Sequence, residues 1–126
     1  MRFSEDKSDA RYLIRAYGEQ GIRVNDDWLQ GSLILSAERL RTDWPPASVE
    51  ALTEAHFREL ADWEAELVIL GTGPRLRFPA PALSRPLAER GIGLEVMDTA
   101  AACRTFNILA GEGRRVVAAL LNGPCD

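Results

Sequence analysis

Gly71-Thr72-Gly73 follows the apolar run Leu67-Val68-Ile69-Leu70, and Asp98-Thr99 follows the short apolar run Leu94–Met97. Both stand where a strand gives way to a loop and then to a helix. In open α/β sheets ligands bind beyond the carboxyl ends of the strands, and backbone N–H groups exposed there attract anions. Anion or small-molecule binding is therefore the chemistry this edge suggests. Neither the dinucleotide nor the phosphate-loop fingerprint is met, because Gly-Thr-Gly lacks the further glycines and no Lys follows. The plainer reading stays open beside it: the glycines permit a tight turn, and Asp98 or Thr99 caps a helix.

Arg75 and Arg77 lie in the next loop. With Arg85 and Arg90 against Glu89 they give residues 71–91 a local charge of +3. That stretch is either a solvated face or a surface for an anion or an acidic partner. Arg104 follows Cys103 near a helix start. A thiolate is favoured by a cation and by the first helical turn, but Cys103 falls one turn in, where the dipole fades. Cys103, Phe106 and Ala110 share one face at i, i+3, i+7, so Cys103 reads as a core residue. The candidate binding residues are therefore Gly71, Thr72, Gly73, Arg75, Arg77, Asp98, Thr99 and Arg104. No residue stands out as catalytic. His56, the single histidine, sits on a polar helix face with no serine nearby, and reads as a surface residue. Glu95 lies mid-strand: beside Arg104 it would form an ion pair, and buried alone it would be a candidate acid. With two cysteines and one histidine no zinc cluster of ordinary spacing can be built, and no metal or cofactor is expected.

The elements that must position these residues follow from pattern. Residues 11–17 read as a strand, 18–21 as a turn and 22–25 as the returning strand. Asn25-Asp26-Asp27 marks a second turn, and 32–37 reads as the third strand of an antiparallel meander. Residues 42–48, with two prolines, read as punctuation. Thr53 caps a helix over 54–64, where Glu54 can pair with Arg58. Residues 67–70, 94–97 and 116–121 read as buried neighbouring strands at the centre of a parallel sheet. Helices over 82–90 and 99–111 connect them. The first is acceptable only if Ser84 caps it and Pro86 falls in the first turn. Ala100-Ala101-Ala102 predicts close approach of the second helix to the sheet, and Asn107 mid-helix predicts a specific hydrogen bond. The sum is a β-α-β-α-β unit behind an N-terminal meander, in one domain over 1–126 with a core of about 10–121.

Composition narrows the classes. Fifteen basic residues against nineteen acidic give −4, and 1–63 carries all of it, since 64–126 holds seven of each. A nucleic-acid binder shows the opposite balance, so none is expected. No apolar run is long enough to span a bilayer. The start, MRFSEDKSDARYLIRAYG, has no apolar signal region, and a cytoplasmic protein is expected. Two cysteines are too few for a secreted framework, and Cys103 and Cys125 are not expected to bridge.

The run GIGLEVMDTAAACRTFNILAGEGRRVVAALL, Gly91 to Leu121, resembles the signature of an uncharacterised bacterial and archaeal domain family. That family includes the mitochondrial assembly factor 3 of respiratory complex I and an adipogenesis-associated vertebrate protein. Val68–Gly73, the segment VNDDWLQGSLILS and Trp44 resemble it as well, over roughly residues 10–121. The resemblance implies three layers around a mixed central sheet and supplies no catalytic mechanism. An Arg/Ser-rich, acid-poor presequence like that of the mitochondrial members is not expected here. Two readings of function remain. One is a non-catalytic protein-binding or assembly factor. The other is a small-molecule or anion-binding protein, or an enzyme, with its site at the carboxyl edge of the sheet.

Overall fold

The computed structural model describes residues 11–123, and places two sheets and three helices within them. β1 (Ile14–Gly18), β2 (Gly21–Val24) and β3 (Asp27–Leu29) form a small antiparallel sheet in that order. Gly21 takes φ +112°, and a Cβ there would lie 2.2 Å from the Leu29 carbonyl oxygen, so only glycine fits the tight β1–β2 turn. Asn25 takes φ +53° between β2 and β3. Its amide side chain bonds the Leu13 N–H and the Arg11 carbonyl, which ties the turn to the chain entering β1.

β4 (Ser32–Leu35), β5 (Leu40–Trp44), β6 (Leu67–Gly71), β7 (Gly93–Met97) and β8 (Val116–Leu120) form the main sheet, ordered β5-β4-β8-β6-β7. β6 pairs in parallel with both β7 and β8, and β4 runs antiparallel to β5 and β8. The sheet is therefore mixed, as the fold class requires. Three assignments read from pattern are corrected. The third meander strand is Asp27–Leu29; residues 32–35 leave the meander and join the main sheet. Residues 40–44, which include part of the expected punctuation, form β5. Of the three strands expected at the centre, β6 and β8 lie inside the sheet as expected, and only residues 94–97 belong to an edge strand.

α1 (Glu54–Ala61) and α2 (Arg85–Glu89) cover one face, and α3 (Thr99–Gly111) with β1 and β2 covers the other. Alternation along the buried strands divides the core accordingly. Val68, Leu70, Val117 and Ala119 join Phe57, Leu60 and Leu87 on the first face. Leu33, Leu35, Ile69, Ala118 and Leu120 join Ile22, Cys103 and Phe106 on the second. Ala102 is fully buried there, the close approach that the alanine run predicts.

The caps explain the helix starts. Thr53 and His56 form a reciprocal capping box: the His56 N–H donates to Thr53 Oγ1, and the Thr53 N–H donates to His56 Nδ1 at 3.0 Å. His56 is thus a half-buried cap set edge-on against Trp44, not a free surface residue, and burial lowers its pKa below the ordinary histidine value. The expected helix over 82–90 is shorter. Pro81–Ser84 form a 3-10 turn, Pro86 falls in the first turn of α2, and Ser84 Oγ donates back to the Pro81 carbonyl without capping α2.

Candidate functional site

β6 leads to a helix on one face and β7 to a helix on the other, so the chain diverges between their carboxyl ends. In an open sheet that divergence leaves a crevice for a ligand. Here Gly71, Thr72, Gly73, Asp98 and Thr99 meet, and Gly73 and Thr99 bond each other directly. The Thr72 N–H donates to the Met97 carbonyl and the Thr99 N–H to the Gly73 carbonyl, both at 2.9 Å. Thr99 Oγ1 accepts from the Gly73 N–H at 2.7 Å and donates to the Leu121 carbonyl at 2.9 Å. Thr99 is fully buried. A Cβ on Gly71 would stand 3.0 Å from Thr99 Cα and from a methyl of Leu120, so glycine is what lets α3 seat against β6. Asp98 is the N-cap of α3, its Oδ1 accepting from the Ala101 N–H at 2.8 Å. Arrangements of this kind hold a helix N-terminus to a sheet.

The arginines lie apart from this knot. Thr72 Oγ1 donates to the Arg75 carbonyl at 2.6 Å and accepts from the Arg77 N–H at 3.2 Å, at the start of an exposed loop. Arg77 pairs with Glu50 at 2.5 Å. The backbone amide of Glu50 and the Arg77 guanidinium hold that carboxyl below its ordinary range. Arg90 pairs with Asp62 and also donates to the Ala61 carbonyl at 3.0 Å. Pattern reading singled out only the charges of this loop. Leu76 and Phe78 between them are 51% and 71% exposed. The Arg-Leu-Arg-Phe alternation, set between Pro74 and Pro79, was the available signal.

Arg104 is exposed on α3 and lines a crevice of about 270 Å³ with Arg15, Cys103 and Asn107. Glu95 is exposed on β7. Cys103 is free and buried; burial pushes its thiol up to about 12, with Arg104 opposing and Asp98 reinforcing the shift. Cys125 lies outside the described residues. The native thiol should therefore resist iodoacetamide at pH 8, because the thiolate is the reactive form. Mass spectrometry of a Cys125→Ser variant checks this: Cys103 should label in urea and stay unmodified in the folded protein over the same interval.

A cavity of about 620 Å³ opens at the other end of the sheet, among residues 36–38, 63–65 and 110–117. Trp63 forms part of its wall, and the Arg39 guanidinium lies 4.0 Å from the centre of that ring. Pattern reading missed it, because its walls are helix ends and turns that become neighbours only through the sheet order. Among the described residues no group of three or more His, Cys, Asp or Glu side chains is placed to hold a metal ion.

These features define a small three-layer α/β domain in which a buried threonine ties the helix after an edge strand to the middle of a mixed sheet. The chain belongs to the family described as protein of unknown function DUF498/DUF598, whose model matches residues 14–121. Among curated relatives, the NADH dehydrogenase [ubiquinone] 1 alpha subcomplex assembly factor 3 of Bos taurus is 35% identical over 94% of this chain. The chain spans 65% of that relative's length, just under two thirds. Two solved structures share the fold. A Xanthomonas campestris protein determined by NMR is 38% identical, with TM-score 0.82 over 100% of this chain and 96% of that one. A Bordetella pertussis protein described as a Mth938-like domain is 31% identical, with TM-score 0.81 over 98% of this chain and 94% of that one.

Proposed function

We propose that this chain is a non-catalytic protein-binding domain that works by contact, in the manner of an assembly factor. The carrying observation is the loop after β6, where Leu76 and Phe78 stand 51% and 71% exposed. Fully burying such side chains is worth about 1.5–3 kcal/mol each, so leaving two of them together in water favours a partner that covers them. Two further points support the reading. The side chains of Thr72, Asp98 and Thr99 at the carboxyl edge are taken up by backbone groups of the domain itself, and curated relatives bear the name of an assembly factor of an NADH dehydrogenase.

A photo-crosslinking residue placed at Phe78 in the source cell tests it. Discrete protein adducts are expected there and not at Ile108, an exposed apolar residue on α3 between Arg104 and Glu112. Phe78→Ser should leave stability within about 0.5 kcal/mol of the parent, and should abolish adducts from a crosslinker moved to Leu76. Equal labelling from positions 78 and 108, or none from 78, would remove the loop as the contact surface.

A further inference from the structure

The loop that exposes Leu76 and Phe78 is fixed before any partner arrives. Pro74, Pro79 and Pro81 each restrict the backbone. Thr72 Oγ1 grips the segment at the Arg75 carbonyl and the Arg77 N–H. The Arg77 guanidinium then reaches Glu50, on the 3-10 turn Val49–Ala51, and clamps the middle of the segment to the body of the domain. Leu76 and Phe78, two residues apart in this held segment, are both exposed and supply its apolar surface. A surface held this way loses little conformational freedom on binding.

Its charge is equally specific. Of the four arginines in 71–91, Arg77 is engaged by Glu50, and Arg90 by Asp62 and the Ala61 carbonyl. Arg75 and Arg85 are exposed and have no ion-pair partner among the described residues. Two exposed positive charges without an ion-pair partner therefore stand in the same stretch of chain as the apolar pair, on a molecule whose net charge is −4.

We infer that the occupant of this surface is an acidic segment of another protein, carrying apolar side chains that cover Leu76 and Phe78 and carboxylates that meet Arg75 and Arg85. The inference rests on the protein-binding reading above and adds the partner's chemistry. A segment contacts only the basic island, whereas an anionic lipid surface would also face the acidic remainder of the chain. Two copies meeting through this face would bring four uncompensated arginines together. Arg77 is a clamp for the loop and not a partner contact.

The test uses NMR titration of the full chain with three probes: a synthetic peptide in which Leu and Phe alternate with Glu and Asp, its counterpart with Lys in place of the acids, and phosphatidylcholine vesicles containing phosphatidylglycerol. The acidic peptide should shift the amides of Leu76–Phe78 and Arg85, with an affinity that falls as salt rises. The double variant R75E/R85E should bind it about tenfold or more weakly, as should Phe78→Ser, each with an unchanged spectrum elsewhere. Equal or tighter binding of the lysine peptide, Phe78-dependent binding to vesicles, or concentration-dependent shifts of the same amides without any probe would each overturn the inference. If no peptide binds while crosslinks from position 78 persist, the acidic partner is wrong and protein binding stands. Loss of both removes the two together.

Discussion

Thr99→Val should lower the stability of the fold by about 2–4 kcal/mol. The substitution keeps the shape of the side chain and replaces its hydroxyl by a methyl. That hydroxyl serves two buried backbone groups from different parts of the chain, accepting from the Gly73 N–H and donating to the Leu121 carbonyl. Removing one side of a buried hydrogen bond leaves the other unsatisfied, at about 1–3 kcal/mol per group. Here two groups are stranded by one change, and no water can replace the hydroxyl without room that Gly71 and Leu120 deny it. Thr99→Ser keeps both bonds and loses only a methyl, so it should retain most of the stability. Urea unfolding of the two variants, compared at constant slope, measures the difference. Equal midpoints for valine and serine would show that the hydroxyl does not hold the crevice closed.

Asn107→Ala is the second large effect, and its signature is regional. Asn107 lies on α3, yet its side chain behaves as one residue of a neighbouring strand. Its Oδ1 accepts from the Ile14 N–H at 3.0 Å and its Nδ2 donates to the Ile14 carbonyl at 2.6 Å. It thereby completes the outer edge of β1 and fastens the small sheet to the helix. The loss should be about 1.5–3 kcal/mol, less than two fully buried groups would cost, because water can reach part of this edge. Hydrogen exchange should accelerate through β1, β2 and β3 while the amides of β6 and β8 keep their protection, since local opening follows the fastening that is cut. Asn107→Asp keeps the acceptor and loses the donor, and should fall between the two.

Asn107 also shows how far pattern carries. Its poor helix propensity signalled a specific bond, but the partner ninety-three residues away was beyond any local rule. Asp98 was legible as a cap from its place before a helix. Thr99 beside it was legible only as the alternative cap or as a candidate binding residue, because its real partners are brought to it by strand order and not by sequence spacing. β6 and β8 were legible because both of their faces are buried, so they read as unbroken aliphatic runs. β5 was not, since Leu40-Arg41-Thr42-Asp43-Trp44 is an edge strand whose outward positions are polar and whose Asp43 takes φ +57°. β3 was hidden for a related reason, as it begins at Asp27, inside the turn signal that precedes it. Edge strands meet the core on fewer sides, which is also why β7 looked central: its short apolar run resembles that of β6 although its burial does not.

The strand order has a consequence for how the domain is born on the ribosome. β8 is the last strand among the described residues, yet it lies between β4 and β6 and pairs with both. Until it emerges, the β4–β5 hairpin and the β6–β7 pair have no common neighbour, and each presents an open hydrogen-bonding edge backed by aliphatic side chains. Such edges are where nascent chains stick to one another. The domain therefore cannot complete its sheet segment by segment during synthesis; it closes in one late step, around a strand that arrives last and enters at the centre.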